Sequence, residues 1–119
     1  MATRYDFTIK QGSDVDFTIQ VYSDSSLSVP MDLTGWDARM MIRASRRSTG
    51  SPLVSLTSNP AAGLTVNGIA GQISIHIDGD DTSAYTWFNG QWDLEAFNGS
   101  SIKEAAYGNV SIRAEVTHP

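Results

Sequence analysis

The side chains with chemistry to offer are His76 and His118, the run Asp78-Gly79-Asp80-Asp81, the arginines Arg43, Arg46 and Arg47, and the aromatics Trp36, Trp87, Phe88 and Trp92. A histidine titrates near neutrality and serves as acid, base or metal ligand, but each use needs a partner. Neither His76 nor His118 has a second ligand or an orienting group at a recognisable spacing. The aspartate run resembles the start of a calcium loop, where hard cations gather carboxylate oxygens. An EF-hand needs Gly at the sixth position and Glu at the twelfth, and Ser83 and Asn89 stand there instead. The run therefore reads as a turn that caps a short helix. Cysteine is absent, and so are a Ser-centred nucleophile elbow and a Gly-rich phosphate loop after a strand. The expectation is a protein that is not an enzyme, with no catalytic residue, no metal site and no cofactor.

Binding remains. Arg43, Arg46 and Arg47 form the one basic cluster, in a Ser- and Gly-rich loop, and guanidinium forks grip phosphates or carboxylates. The chain carries a net charge of −5 and a pI near 4.7, which opposes nucleic acid binding, since that requires many neutralised phosphates. A protein partner suits the loop better. Trp92 shares the parity of Leu94 and reads as core, whereas Trp87 and Phe88 are adjacent and cannot both point inward from an extended strand. An exposed aromatic is the residue type enriched at interface hot spots. The expected partner-binding residues are thus Arg43, Arg46, Arg47, Trp87 and Phe88.

The elements that must hold these residues are strands. Residues 90–97 alternate large apolar with polar side chains, Asn98-Gly99 supplies a turn, and residues 101–116 alternate again. On the return strand Ile102, Ala106, Val110, Ile112, Ala114 and Val116 share one face, and Glu104 breaks that pattern where the strand starts at a sheet edge open to water. Tyr5, Phe7 and Ile9, then Val15, Phe17, Ile19 and Val21, read as a second hairpin around Gln11-Gly12-Ser13-Asp14. Ala38, Met40, Ile42 and Ala44 point inward from a further strand, with Arg39 and Arg43 outward. Residues 64–66 and 73–77 make a third strand pair, and residues 78–85 fit one helical turn crossing the end of a sandwich. Short strands punctuated by Gly, Asn and Asp define an all-β antiparallel sandwich of about seven to nine strands with one short helical turn. At 119 residues, 40% hydrophobic and 18% charged, this is one folded domain over residues 1–119. The start lacks the apolar segment of a signal peptide and no run is long enough to span a membrane, so the expectation is a protein made in a cytosol with no membrane partner.

The order of landmarks carries a resemblance. They are Phe17-Thr18-Ile19-Gln20-Val21, then Asp32-Leu33-Thr34-Gly35-Trp36 leading into a strand flanked by Arg39 and Arg43, then Gly63-Leu64-Thr65-Val66, Gly71-Gln72-Ile73-Ser74-Ile75 and Gly90-Gln91-Trp92-Asp93-Leu94-Glu95. The series closes with Gly108-Asn109-Val110-Ser111-Ile112 and Glu115-Val116-Thr117. Over nearly its whole length the chain resembles a family of small immunoglobulin-like β-sandwich virion proteins of tailed bacteriophages. The resemblance implies a non-enzymatic structural component, an adaptor of the tail or baseplate or of receptor-binding fibre attachment. It also implies a place in the virion after assembly in the host bacterial cytoplasm, with other phage virion proteins of a symmetric assembly as partners. A capsid decoration protein is the alternative within that class. From another class, a carbohydrate-binding module would use exposed aromatics on a host surface glycan. The Asp-Leu-Thr-Gly-Trp piece also has a physical reading of its own: Asp32 and Thr34 bond nearby backbone, Gly35 permits a positive φ, and Trp36 seals the sandwich end.

Overall fold

The computed structural model describes residues 2–23, 26–45, 47 and 50–116. The alternating segments become two packed layers. In the larger sheet the order is β1 (Thr3–Arg4), β10 (Ser101–Arg113), β9 (Asn89–Asn98), β4 (Asp37–Arg43), β5 (Val54–Ser58) and β6 (Ala61–Ala62), with β2 (Phe7–Lys10) also on β10. The smaller sheet runs β3 (Val15–Gln20), β8 (Gln72–Ile77), β7 (Leu64–Asn67). A single helical turn, α1 (Gly79–Ser83), crosses one end as the pattern of residues 78–85 predicts.

Apolar parity explains the packing. Ala38, Met40 and Ile42 of β4 and Trp92, Leu94 and Ala96 of β9 face Ile19 of β3 and Ile73, Ile75 and Ile77 of β8, all of them buried. The alternate residues, among them Arg39, Asp93 and Glu95 with the apolar Met41, lie on the outer face. Trp36 packs half-buried against this core behind Gly35, whose φ is +83°, and Asp32 Oδ1 accepts from Thr34 N at 2.9 Å and Thr34 Oγ1 at 2.6 Å. Those two bonds hold the Asp32 carboxyl below the usual carboxylate range.

Several expectations need correction. Residues 5–21 are not a hairpin: β2 runs parallel to β10, pairing Phe7 with Val110 and Lys10 with Arg113, while β3 joins the other sheet. The chain crosses between layers at residues 11–14, and Phe7 meets Phe17 across the sandwich with ring centroids 4.9 Å apart. Alternation states which face is buried and nothing about which strand lies beside it. The larger sheet is therefore mixed rather than wholly antiparallel, and among the described residues the strands number ten, two of which, β1 and β6, have only two residues.

The final hairpin forms one residue later than the Asn98-Gly99 reading places it. Asn98 pairs with Ser101, so Gly99 and Ser100 are the turn, and Gly99 alone has a positive φ, +60°, the pattern of a type II′ turn. On β10 a bulge between Glu104 and Ala106 buries both Ala105 and Ala106 and reverses the parity before it. Ile102 is consequently 57% exposed and Glu104 faces water beside it. Ala44, Ala114 and Val116 lie beyond the ends of their strands and are exposed rather than inward.

Candidate functional site

Topology gathers the chemically distinctive residues at one end of the sandwich. Arg43 at the end of β4 pairs with Gln91 near the start of β9, and Ile77 at the end of β8 pairs with Val15 at the start of β3. The 11–14 crossing, α1, residues 84–88 and the loop after β4 share that end. Buried Thr82 fastens α1 there, its Oγ1 donating to Ser13 O at 2.9 Å and accepting from Gly12 N at 3.0 Å.

His76 has the orienting partners that sequence spacing did not reveal. Its Nδ1 lies 2.6 Å from Asp16 Oδ1 and its Nε2 2.7 Å from Asp78 Oδ1. Asp16 comes from β3, directly opposite His76 in the register, so the signal was parity on two paired strands, invisible once β3 is assigned to a hairpin with β2. Hydrogen bonds first to Asp16 and then to Asp78 raise the His76 pKa from 6.5 to about 9. With a pKa of about 9 the ring is an imidazolium at neutral pH and donates one N–H to each carboxylate. It ties β3, β8 and the entry to α1 together. Asp78 stands at the N-cap position of α1, but its carboxylate is turned to His76 and makes no cap, and Asp14 Oδ1 accepts from Gly79 N at 2.7 Å instead.

The sign of the pH effect follows. A group whose folded pKa is raised contributes stability that is complete below its unfolded value, here about 6.5, and lost as pH rises through about 9. The ring is 46% exposed, so water screens the pair and the effect is small. Urea unfolding followed from about pH 6 to about pH 10 is expected to show a gentle loss of stability on the alkaline side. His76→Gln should flatten that slope; an unchanged slope would place its origin elsewhere.

The residues expected to bind partners divide. Arg43 is half-buried and braces its own loop, its guanidinium donating to Gly50 O and lying 3.5 Å from Met41 Sδ. Arg47 is exposed, and Arg46 and His118 lie outside the described residues. Of the aromatic pair, Trp87 packs half-buried against the core and Tyr85, with ring centroids 5.4 Å apart, while Phe88 is 66% exposed. Burial, more than the charge of Asp81, raises the Tyr85 phenol above its ordinary value. Arg43 and Phe88 thus lie at the same end of the sandwich, with Leu53 there as a further exposed apolar residue.

Two depressions adjoin these groups. One, of about 540 Å³, opens between β5 and the end of β8 and is lined by Leu53, Leu56, Gly63, His76, Asp78 and Tyr85. The other, about 380 Å³, lies on the outer face of the larger sheet between Arg39, Met41, Arg43, Asp93 and Glu95. Arg39 pairs with Glu95 at 2.8 Å and its guanidinium carbon sits 4.8 Å from the Phe97 ring centroid, so this surface is already internally paired. Among the described residues no group of three or more His, Cys, Asp or Glu side chains is arranged to hold a metal ion.

The geometry defines an immunoglobulin-like β-sandwich, and the comparison with solved structures agrees. A crystal structure of a chicken TCR superposes with a TM-score of 0.56 at 10% sequence identity, covering 96% of this chain and 55% of that one. At that identity the likeness concerns the fold alone, and the chain spans little more than half the length of the receptor chain it matches. No protein-family model matches the sequence, and neither does any curated protein.

Proposed function

We propose that this chain is a non-enzymatic structural component of a tailed-phage virion, an adaptor of the tail or baseplate that docks other virion proteins such as receptor-binding fibres. The reading rests on the ordered sequence landmarks given above. The observation that supports docking is the gathering of Phe88, Leu53, Arg43 and Arg47 at one end of the sandwich, an aromatic and apolar anchor beside cationic groups. The His76, Asp16 and Asp78 cluster at that end bonds to itself and holds strands together, which suits a structural role. A capsid decoration role uses the same surfaces and belongs to the same class. A glycan-binding role wants flat exposed aromatics, and here Trp92 is buried while Trp36 and Trp87 are half-buried, which leaves Phe88 and Tyr5, on different segments, among the described residues.

Purified protein is expected to rebind particles that lack it. Phe88→Ala and Arg47→Glu should each weaken that binding without altering the melting temperature, because both side chains are exposed. Rebinding that ignores both substitutions would move the docking surface elsewhere. Absence of the protein from purified particles would remove the virion reading itself, and binding on a glycan array would replace it with the lectin-like one.

A further inference from the structure

A sheet edge in a native protein is ordinarily blunted by lysine, proline, a bulge, shortness or a covering segment. The edges of this molecule differ in that respect. β2 carries Lys10 and is separated from β1 by the break at Tyr5 and Asp6, and the β6 to β7 side is closed by the chain itself, with Thr57 bridged to Gly63. β3 has none of these devices. It is six residues of unbroken register, without lysine or proline, and among the described residues it pairs with β8 alone.

The register shows which backbone groups it leaves open. Val21 N donates to Gly71 O at 2.8 Å, continuing the β3 to β8 ladder beyond its last named pair, so the odd-numbered residues Val15, Phe17 and Ile19 turn their N–H and C=O toward β8. Asp16, Thr18 and Gln20 therefore turn theirs outward. Their side chains do not obstruct that edge, since each leans back toward β8: Asp16 to His76, Thr18 Oγ1 to Ser74 Oγ at 3.1 Å, and Gln20 Nε2 to Ala70 O at 2.8 Å.

We propose that the occupant of this edge is β3 of a second copy of the chain, antiparallel about a two-fold axis through Thr18, giving one continuous sheet across a homodimer. In that register Thr18 faces its own copy as a hydrogen-bonded pair and Asp16 faces Gln20 of the other chain, so every outward N–H and C=O of the three residues finds a partner in both copies. The charge pattern agrees. Asp16 is the only charged residue of β3, and the two-fold axis sets the two copies about four residues, roughly 14 Å, apart along the strand. That exceeds the Debye length of about 8 Å at physiological salt, and each carboxylate already faces its own imidazolium. On the inner side the half-buried Phe17 gains Ile19 of the other chain as its cross-strand neighbour, which covers apolar surface now left open beside Tyr5. The dimer does not depend on the virion reading, because it needs no other component.

Sedimentation of the purified chain, with no particle present, is the test. The wild type is expected to run as a concentration-dependent dimer, and Thr18→Lys, which sets two ammonium groups against each other at the axis, should weaken it by at least ~10-fold. Mixing Thr18→Lys with Thr18→Glu should restore a heterodimer. Hydrogen exchange on the wild type supplies a readout that needs no variant: the amides of Asp16, Thr18 and Gln20 should gain protection as concentration rises, while those of Phe17 and Ile19 are protected throughout. A wild type that stays monomeric, a dimer unaffected by Thr18→Lys, or amides at 16, 18 and 20 that stay fast at dimer concentrations would each overturn the proposal.

Discussion

Trp92→Ala is expected to destabilise the domain by about 3–5 kcal/mol, the range for truncating a large buried aromatic. Trp92 is 2% exposed and stands edge-on to Phe7 and Phe17, with ring centroids 5.4 Å and 5.9 Å away. Those two rings come from different sheets, so one side chain on β9 ties the N-terminal strand to both layers. Its indole N–H also donates to Tyr5 O at 2.8 Å, at the break between β1 and β2. Trp92→Phe keeps a ring in place but leaves that carbonyl without its donor, and should cost about 1–3 kcal/mol. Urea unfolding followed by circular dichroism measures both. A loss below about 1 kcal/mol for the alanine variant would mean that the ring is not part of the packed core.

What was legible in the sequence follows from which physical signal is local. Parity is local, so the inward faces of β4, β8 and β9 and the burial of Trp92 could be read from one stretch of chain at a time. The Asp32 and Thr34 turn was readable for the same reason, because its bonds span two residues. Pairing is not local. Phe7 and Phe17 have the same alternation whether their strands lie side by side or face each other across the core, and only the free energy of the whole sandwich decides. The candidate site depends on the same pairing: the His76 partner Asp16 is sixty residues away in sequence, on a strand that alternation alone cannot set beside β8. The bulge at Ala105 was hidden too, since a sequence of two adjacent alanines, Ala105 and Ala106, gives no sign of which one is extra. Arg43 and Phe88 stand out in the sequence by residue type alone, and the topology sets them at the same end.

Gly108→Ala is expected to cost about 1–3 kcal/mol, in the range for forcing an added methyl into a filled site. A Cβ on Gly108 would lie 2.2 Å from Tyr5 O and 2.7 Å from Asp6 Oδ1, and the first of these is backbone, which cannot swing aside as a side-chain tip can. The crowded carbonyl is the one that accepts the Trp92 N–H, and Gly108 is the residue opposite Trp92 in the β9 to β10 register. Asp6 Oδ1 in turn accepts from Asn109 N at 2.8 Å, a bond that holds the Asp6 carboxyl below the usual carboxylate range. The methyl group therefore meets the point where the N-terminal segment steps from β1 to β2 along β10. Relief requires that segment to move away, which breaks both hydrogen bonds and exposes the Asn109 amide to exchange. Because the glycine and the tryptophan act on one carbonyl, their effects should not add: in a Trp92→Phe background, where the indole bond is already gone, Gly108→Ala should cost less by about 0.5 kcal/mol or more. Gly50→Ala is the control, since no described residue lies within 4 Å of its added methyl, and it should change stability by less than about 0.5 kcal/mol. Equal costs for Gly108→Ala and Gly50→Ala would show that the N-terminal segment is not seated on β10 at this point. Strict additivity with Trp92→Phe would show that the two residues do not share the Tyr5 carbonyl.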